Sequence, residues 1–448
     1  MKETNLTEGS ILQKLILFSL PMIAGNILQQ IYNLADTWVV GKHLGPDALA
    51  AVGSAYTLMI FITSVIIGLC MGSGALFSAD YGASDEEGLH TDIRLSFCFI
   101  LTVTGVIYLV IYPGMNVIQK LLQTPAELMG LTKDYISVVF IGIIFVFLYN
   151  FFAYLLRAMG NSFVPLVFLA ASSVINILLD LWFVIGLKQG VAGAAWATVI
   201  AQGIAGIGIT IYSITKCPLL RTKSETARNN SGRLKTIILN DIMTGMQQSV
   251  MNFGILMIQG LVNSFGAGVM ASFAAAVKID TLAYMPAQEF GNAYSLFVSQ
   301  NFGAKKQERI RKGTKISIIT STIFCAVISV LIFVFAEQLM RIFIDANEIQ
   351  IIKEGIRYLR IEGALYIGIG ILFLWYGYFR GINKPHVSLI LTVISLGTRV
   401  LLSYTLAPHT SLGVVAIWCS IPIGWFLADI AGYIFYCFYF ERNVVYYE

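Results

Sequence analysis

The sequence predicts an all-α integral membrane protein, with twelve transmembrane helices in two six-helix bundles related by a pseudo-two-fold axis along the membrane normal. Three observations predict it. AVILMFWYC residues make up 57% of the 448-residue chain and DEKR residues only 12%, where a soluble globular chain is about 25% charged. The apolar runs are ~20 residues long, enough for a helix to cross a bilayer, and do not alternate over ~10 residues as barrel strands do. The chain also repeats itself at an offset of 221 residues.

The spans are bounded by charge, Pro or Gly. Span one (14–40) carries Pro21 near its start, and span two (48–77) begins after Gly45-Pro46. Span three (92–112) follows Asp85-Glu86-Glu87 and closes at Pro113. Span four (132–155) stops before Arg157, span five (163–187) at Lys188, and span six (191–215) at Lys216. Span seven (235–262) follows a basic loop, and span eight (269–300) follows Gly266. Spans nine (314–336), ten (355–378), eleven (386–406) and twelve (412–438) complete the count.

With both termini cytoplasmic, nineteen of the 29 Lys and Arg residues fall on inner segments and eight on outer ones. Basic residues concentrate on the cytoplasmic side. The expectation is a multi-pass protein of the bacterial inner membrane, monomeric, with both termini inside. Its N-terminus, MKETNLTEGS, lacks the basic start and short apolar core of a cleaved leader. Five of the six cysteines lie in apolar runs and read as small buried hydrophobes. The composition excludes a disordered chain, a disulfide scaffold and a nucleic-acid binder.

At the offset of 221, Tyr81-Gly82-Ala83-Ser84-Asp85-Glu86-Glu87 aligns with Phe302-Gly303-Ala304-Lys305-Lys306-Gln307-Glu308, and residues 43–55 with 264–276. Ser78 falls on Ser299 and Ser96 on Ser317; further on the offset drifts to 223, and Arg157 meets Arg380. The halves are an N-lobe (1–215) and a C-lobe (236–448), joined by a loop at 216–235. Six spans is an even number, so both halves enter from the same side and the repeats are parallel. Two such bundles leave a central cleft able to open to either side, the architecture of an alternating-access carrier.

Ionisable residues inside a hydrocarbon layer are costly, and are functional by default. In the first half, Asp36 lies late in span one and Asp180 late in span five, both near the outer side. Asn176 shares a helix face with Asp180 at a spacing of four. Thr198, about two turns into span six, reaches a similar depth. Two nearby carboxylates in low dielectric cannot both stay charged, so the group suits a proton. Its oxygen ligands equally suit Na⁺, a hard cation. The bland alternative is a static network tying three helices together. In the second half Met257, Arg399 and Ser403 replace Asp36, Asn176 and Asp180. Arg399 then needs a partner, with Glu289 or Asp429 as candidates. Lys278 and Asp280 are placed near the outer interface with no role.

The run Phe18-Ser19-Leu20-Pro21, the segment Leu28-Gln29-Gln30-Ile31-Tyr32-Asn33-Leu34-Ala35-Asp36, and then Val40-Gly41 and Leu44-Gly45 resemble the first helix of the multidrug and toxic compound extrusion (MATE) family. The repeated Gly-Ala loops, Arg157-Ala158-Met159-Gly160 and Arg380-Gly381 fit as well. The resemblance covers nearly the whole chain. It implies export of drugs or metabolites in exchange for H⁺ or Na⁺, no further cofactor, and a cation site in the first lobe. That site matches Asp36, Asn176, Asp180 and Thr198 here, with Tyr135 and Asn150 as weaker matches and Pro21 as the hinge of helix one. Carboxylates that one branch carries on helices seven and ten are not apparent. The chain therefore looks more like the DinF-type branch.

The cleft is expected to offer Gln29, Asn33, Gln247, Gln248, Asn252 and Met257 to small drug-like molecules, since amides hydrogen-bond adaptably and methionine packs adaptably. An enzyme is not expected: the four histidines lie in loops or at span ends, and there is no HExxH motif. A flippase or exporter of lipid precursors or metabolites is the alternative function. It would want a cationic cleft for pyrophosphate, where these helices offer amides. The topology has a direct test. Cysteines placed at Ser224 and Asn347 in a cysteine-free background should label from opposite sides of the membrane, with position 224 inside, and same-side labelling contradicts the twelve-span count.

Overall fold

The computed structural model describes residues 4–121, 127–220 and 230–445. Ser224 and part of the 216–235 loop lie outside the described residues. Within them the chain is helical, without strands. The helices are α1 (Ile11–Leu44), α2 (Pro46–Ala83), α3 (Glu86–Leu121), α4 (Met129–Ile141), α5 (Ile143–Ala158), α6 (Phe163–Asp180) and α7 (Gly190–Lys216). They continue with α8 (Asn230–Asn263), α9 (Ala267–Gly303), α10 (Gln307–Phe343), α11 (Ile349–Gly363), α12 (Tyr366–Gly381), α13 (Pro385–Leu406) and α14 (Val414–Val445). Among the described residues, nine spans are long and apolar enough to cross a bilayer. Two further spans are bent pairs, α4 with α5 at 40° and α11 with α12 at 51°. Amides along its length, among them Gln247, Gln248, Asn252 and Gln259, keep α8 below that threshold, and it coincides with the remaining member of the predicted twelve.

The repeat is written into the backbone. Gly45 and Gly266 both have positive φ (87° and 101°), as do Ser84 and Lys305 (both 56°), each pair 221 apart. Gly160 and Asn383 (86° and 57°) and Gly190 and Gly413 (62° and 52°) are 223 apart. These are the turns that close α2 and α9 and that lead into α2, α9, α6, α13, α7 and α14. The drift from 221 to 223 in the sequence is therefore a drift between matching turns. Both bent spans fall at equivalent places in the two halves, which continuous apolar runs at 132–155 and 355–378 did not reveal.

The chain divides into two compact units: Met1–Asn5 with Leu20–Gly245, and Leu6–Ser19 with Met246–Glu448. Two helices thus change unit along their length. α1 leaves the second unit between Ser19 and Leu20, beside Pro21, and α8 leaves the first between Gly245 and Met246. α1 runs through Pro21 as one helix.

Local contacts explain the memberships. In the first unit, Gly68 and Gly72 let α2 meet the start of α8 backbone to backbone. A Cβ on Gly68 would sit 2.6 Å from the Gly245 Cα, and one on Gly72 would sit 2.8 Å from the Asn240 carbonyl oxygen. Small residues four apart serve this purpose in membrane helices. Beside them the Ser73 hydroxyl donates to buried Asp241 at 2.7 Å. At the polar end, Arg233 of α8 meets Asp80, Asp85 and Asp92 at 3.1, 2.8 and 2.9 Å. In the second unit the segment before α1 is held by its own backbone. Arg309 donates to the carbonyls of Leu6, Glu8 and Gly9, Lys306 to that of Thr7, and the Leu6 amide to the Gln300 side chain. No disulfide joins the six cysteines.

A side chain at position 72 has nowhere to go, because its neighbour is main chain. Gly72→Val should destabilise the first unit by about 3 kcal/mol, the upper range of overpacking costs, read as a fall in the apparent Tm of detergent-solubilised protein. An unchanged Tm contradicts the close α2–α8 crossing.

Candidate functional site

In the first unit, α6 ends at Asp180 and the chain widens at once into a π-helical turn, Leu181–Gly186. The Leu187 amide accordingly bonds to the Trp182 carbonyl, five residues back, at 2.8 Å. Such turns mark functional positions in helices more often than chance. Asp180 is fully buried (0% exposed), and neither carboxylate oxygen has a hydrogen-bond partner. Asn176, one turn earlier, donates to Thr198 of α7 at 3.5 Å, and its own oxygen is unpartnered. Thr198 donates in turn to the Ala194 carbonyl at 3.2 Å.

Asp36 of α1 lies within electrostatic range of Asp180. One of its oxygens is shielded from solvent and also unpartnered. Tyr135 of α4, buried, lies within range of both carboxylates. Tyr32, one turn before Asp36 on α1, and Tyr56 of α2 are part of the same group. The Asn33 amide faces Tyr56 at 3.4 Å. Asp36, Asn176, Asp180, Thr198 and Tyr135 are therefore brought together. Asn150 of α5 instead bonds to the Val146 carbonyl on its own helix, at 2.8 Å. Four carboxylate and amide oxygens on α1 and α6 are thus left unpartnered, a chemistry compatible with a proton or a hard cation.

The second unit holds a different buried pair. Asp280 of α9 and Glu362 of α11 are 4% and 2% exposed. Tyr366 of α12 donates to one Asp280 oxygen in a short bond, and Tyr358 of α11 to the other at 3.4 Å. The charge of Arg399 on α13 acts on both carboxylates. This corrects three sequence expectations. Asp280 is buried rather than at an interface, and only its neighbour Lys278 is exposed. Arg399 faces Asp280 and Glu362 rather than Glu289 or Asp429; Glu289 accepts from Asn292, and both Asp429 oxygens are unpartnered. Span ten does carry a carboxylate, Glu362, so the argument for a branch without one loses that support. Glu362 was missed because Arg357 and Arg360 beside it read as a span end. The signal was there: Tyr358, Glu362 and Tyr366 stand four apart, on one helix face.

The two clusters share a plan. Tyr135 and Tyr358 are repeat partners at the 223 offset, and so are Asn176 and Arg399. Where the first unit has a neutral amide beside two carboxylates, the second has a guanidinium.

Of the expected cleft residues, Gln247 and Gln248 line a recess in the second unit with Met251, Gln288, Asn292, Phe373, Tyr376 and Arg380. Gln247 is 1% exposed, with an unpartnered side-chain oxygen. Asn252 and Met257 do not line it. The Met257 carbonyl accepts from Tyr404. Gln29 and Asn33 lie half-buried in the first unit.

The clusters should respond oppositely to isosteric substitution. Tyr366→Phe strands a buried carboxylate oxygen and should cost about 1–3 kcal/mol. Asp180→Asn removes no protein hydrogen bond to its oxygens and should leave Tm within a few degrees of wild type. A large loss in Asp180→Asn would make the first cluster a structural network.

Comparison with known proteins gives a consistent result. The MatE family model matches residues 21–182 and again 244–405, once in each half. The probable multidrug resistance protein YpnP of Bacillus subtilis is 30% identical over 445 residues, covering 97% of either chain. The probable multidrug resistance protein NorM of Thermotoga maritima is 25% identical over 412 residues, covering 91% of this chain and 88% of its own. An outward-facing multidrug resistance MATE family transporter of the MOP superfamily superposes with a TM-score of 0.90 at 24% identity, over 97% of both chains.

Proposed function

The chain belongs to the MatE family, whose members are membrane transporters rather than enzymes, and from that premise we propose that it is a secondary active multidrug exporter. It exchanges amphiphilic, often cationic, organic compounds for H⁺ or Na⁺ by alternating access, from a bacterial inner membrane with both termini cytoplasmic. The relatives named for multidrug resistance support the drug-export half of this reading. The single observation that carries the coupling half is Asp180. It is fully buried, with two unpartnered oxygens, and lies in range of Asp36.

A lone charge in such a place is too costly to leave uncompensated. The site therefore takes a proton or a small hard cation, held by Asp36, Asp180, the Asn176 oxygen and the Thr198 hydroxyl. Loading changes the charge on α1, and with it the packing that α1 prefers. That biases the equilibrium between inward- and outward-facing states by the difference in ion affinity between them. α1 changes unit beside Pro21, where the missing backbone donor makes bending cheapest. A cationic drug near charged Asp36 loses attraction once the site fills, and linkage requires the converse, that drug binding expels the ion.

The second cluster is the site of a competing reading, in which Asp280 and Glu362 also load an ion. Arg399 argues against it. A guanidinium at the position of Asn176 gives that pair a resident counter-charge, so it needs none from solution. The lipid-precursor reading asks for a cationic cleft; the recess around Gln247 is rich in amides and carries one guanidinium, Arg380, which donates to Ser295 and Asn292.

Transport in inverted vesicles separates these possibilities. Asp36→Asn and Asp180→Asn should each abolish ethidium export driven by a pH or Na⁺ gradient, and the double variant should be no worse than either single. Asp280→Asn should lower stability but keep gradient dependence in whatever protein folds. Calorimetry of ethidium binding, in buffers of different ionisation enthalpy with and without Na⁺, should detect the expelled ion. Gradient-driven export by Asp36→Asn refutes the coupling assignment.

A further inference from the structure

The turn after α2 and its repeat after α9 carry opposite charge. In the first copy the acids are neutralised internally, with Asp80, Asp85 and Asp92 sharing Arg233. The second copy reads Lys305-Lys306-Gln307-Glu308-Arg309, followed by Arg311, Lys312 and Lys315. Arg309 and Lys306 are occupied by the carbonyls of the N-terminal segment. Lys305, Lys312 and Lys315 are exposed. The ion pair of Lys312 with Glu308 is 3.4 Å long, between side chains 65% and 67% exposed, and contributes little. Lys305, Lys306, Arg309 and Lys312 line an open recess beside Ile11.

The same helix continues this basic end into an apolar stripe. From Lys312 and Lys315 the face runs through Ile319, Ile323, Val327, Val330 and Val334, at steps of three or four residues. These five apolar side chains are 49%, 61%, 54%, 62% and 58% exposed. α10 is the most apolar of the spans, so the stripe lies in hydrocarbon. The rise from Lys315 to Val327 is ~18 Å, about one leaflet of hydrocarbon. Cations at the boundary and an acyl-length stripe beneath them are the two halves of a phospholipid's outline.

We propose that this end of α10 binds an anionic phospholipid, its phosphate among Lys305, Lys312 and Lys315 and one acyl chain along Ile319–Val334. The occupant is a lipid rather than a soluble anion because Lys312, which lines the recess, and Lys315 lead on the same helix into the exposed stripe. α3 provides an internal contrast. Its equivalents of Lys305, Lys312 and Lys315 are Ser84, Thr91 and Arg94, with Glu86 and Glu87 between them, so no such preference arises there.

Native mass spectrometry of the full chain, extracted from equimolar phosphatidylglycerol and phosphatidylcholine, tests this. Wild type should retain phosphatidylglycerol over phosphatidylcholine by about tenfold, given the attraction of each basic residue to anionic lipid. A variant with Lys305→Gln, Lys312→Gln and Lys315→Gln should approach parity, while Lys→Arg at the same positions keeps the preference. Phosphatidylglycerol should raise the apparent Tm of wild type and not of the Gln variant. Millimolar glycerol 3-phosphate should displace nothing. Equal retention by wild type, an unchanged preference in the Gln variant, or displacement by glycerol 3-phosphate overturns the proposal. The first two leave no anion selectivity at these lysines, and the third leaves a soluble-anion site.

Discussion

A carboxylate held in hydrocarbon needs a counter-charge, and much of this molecule is arranged around how that need is met. In the second unit Asp280 and Glu362 have Arg399 nearby, and two tyrosines donate to Asp280. In the first unit Asp180 has neither a donor nor a basic side chain in range. One duplicated bundle has thus produced a closed electrostatic cluster and an open one. One repeat position, Asn176 against Arg399, contributes to the difference, and the carboxylates themselves stand at positions that are not repeat partners. An open cluster is useful to a transporter because its charge varies with what it binds, whereas a resident guanidinium holds the charge constant.

The same contrast recurs where the helices change unit. Arg233 ties the start of α8 into the first unit through three side-chain ion pairs. Arg309 ties the segment before α1 into the second through main-chain carbonyls. Ion pairs depend on salt and on protonation, while carbonyl acceptors titrate with neither. The Gly68–Gly72 crossing adds a steric lock to the first attachment. α1 and α8 each contribute residues to both units.

The fold was legible because bilayer crossing imposes a length and a polarity that composition cannot hide. All twelve predicted runs coincide with helices or bent helix pairs. The repeat was legible because turns that need positive φ favour glycine, and Gly45 and Gly266 kept theirs. The breaks in α4–α5 and α11–α12 were not, since an apolar helix can bend without any change in hydropathy. The junction between units was hidden for a related reason: the polar 216–235 loop is where the composition changes, while packing at Gly68 and Gly72 keeps the start of α8 in the first unit as far as Gly245. Asp36 and Asp180 stood out as charges in long apolar runs. Glu362 did not, because two arginines within five residues made its surroundings resemble an interface.

Divergence between the halves follows the location of each residue. Positions that set backbone path, such as Gly45 and Gly266 or Ser84 and Lys305, keep their conformation even where the side chain differs. Positions that carry charge have diverged freely: acids after α2 against bases after α9, an amide on α6 against a guanidinium on α13. The duplicated backbone supplies two similar bundles. The charges set the two clusters apart: Asp280 and Glu362 lie in range of Arg399, whereas Asp180 lies in range of another carboxylate, Asp36, and the second unit also holds Asp429 with both oxygens unpartnered. Asp36 and Asp180 carry the unpartnered oxygens that the proposed ion would meet, and the Leu20–Leu44 part of α1 supplies the first of these residues.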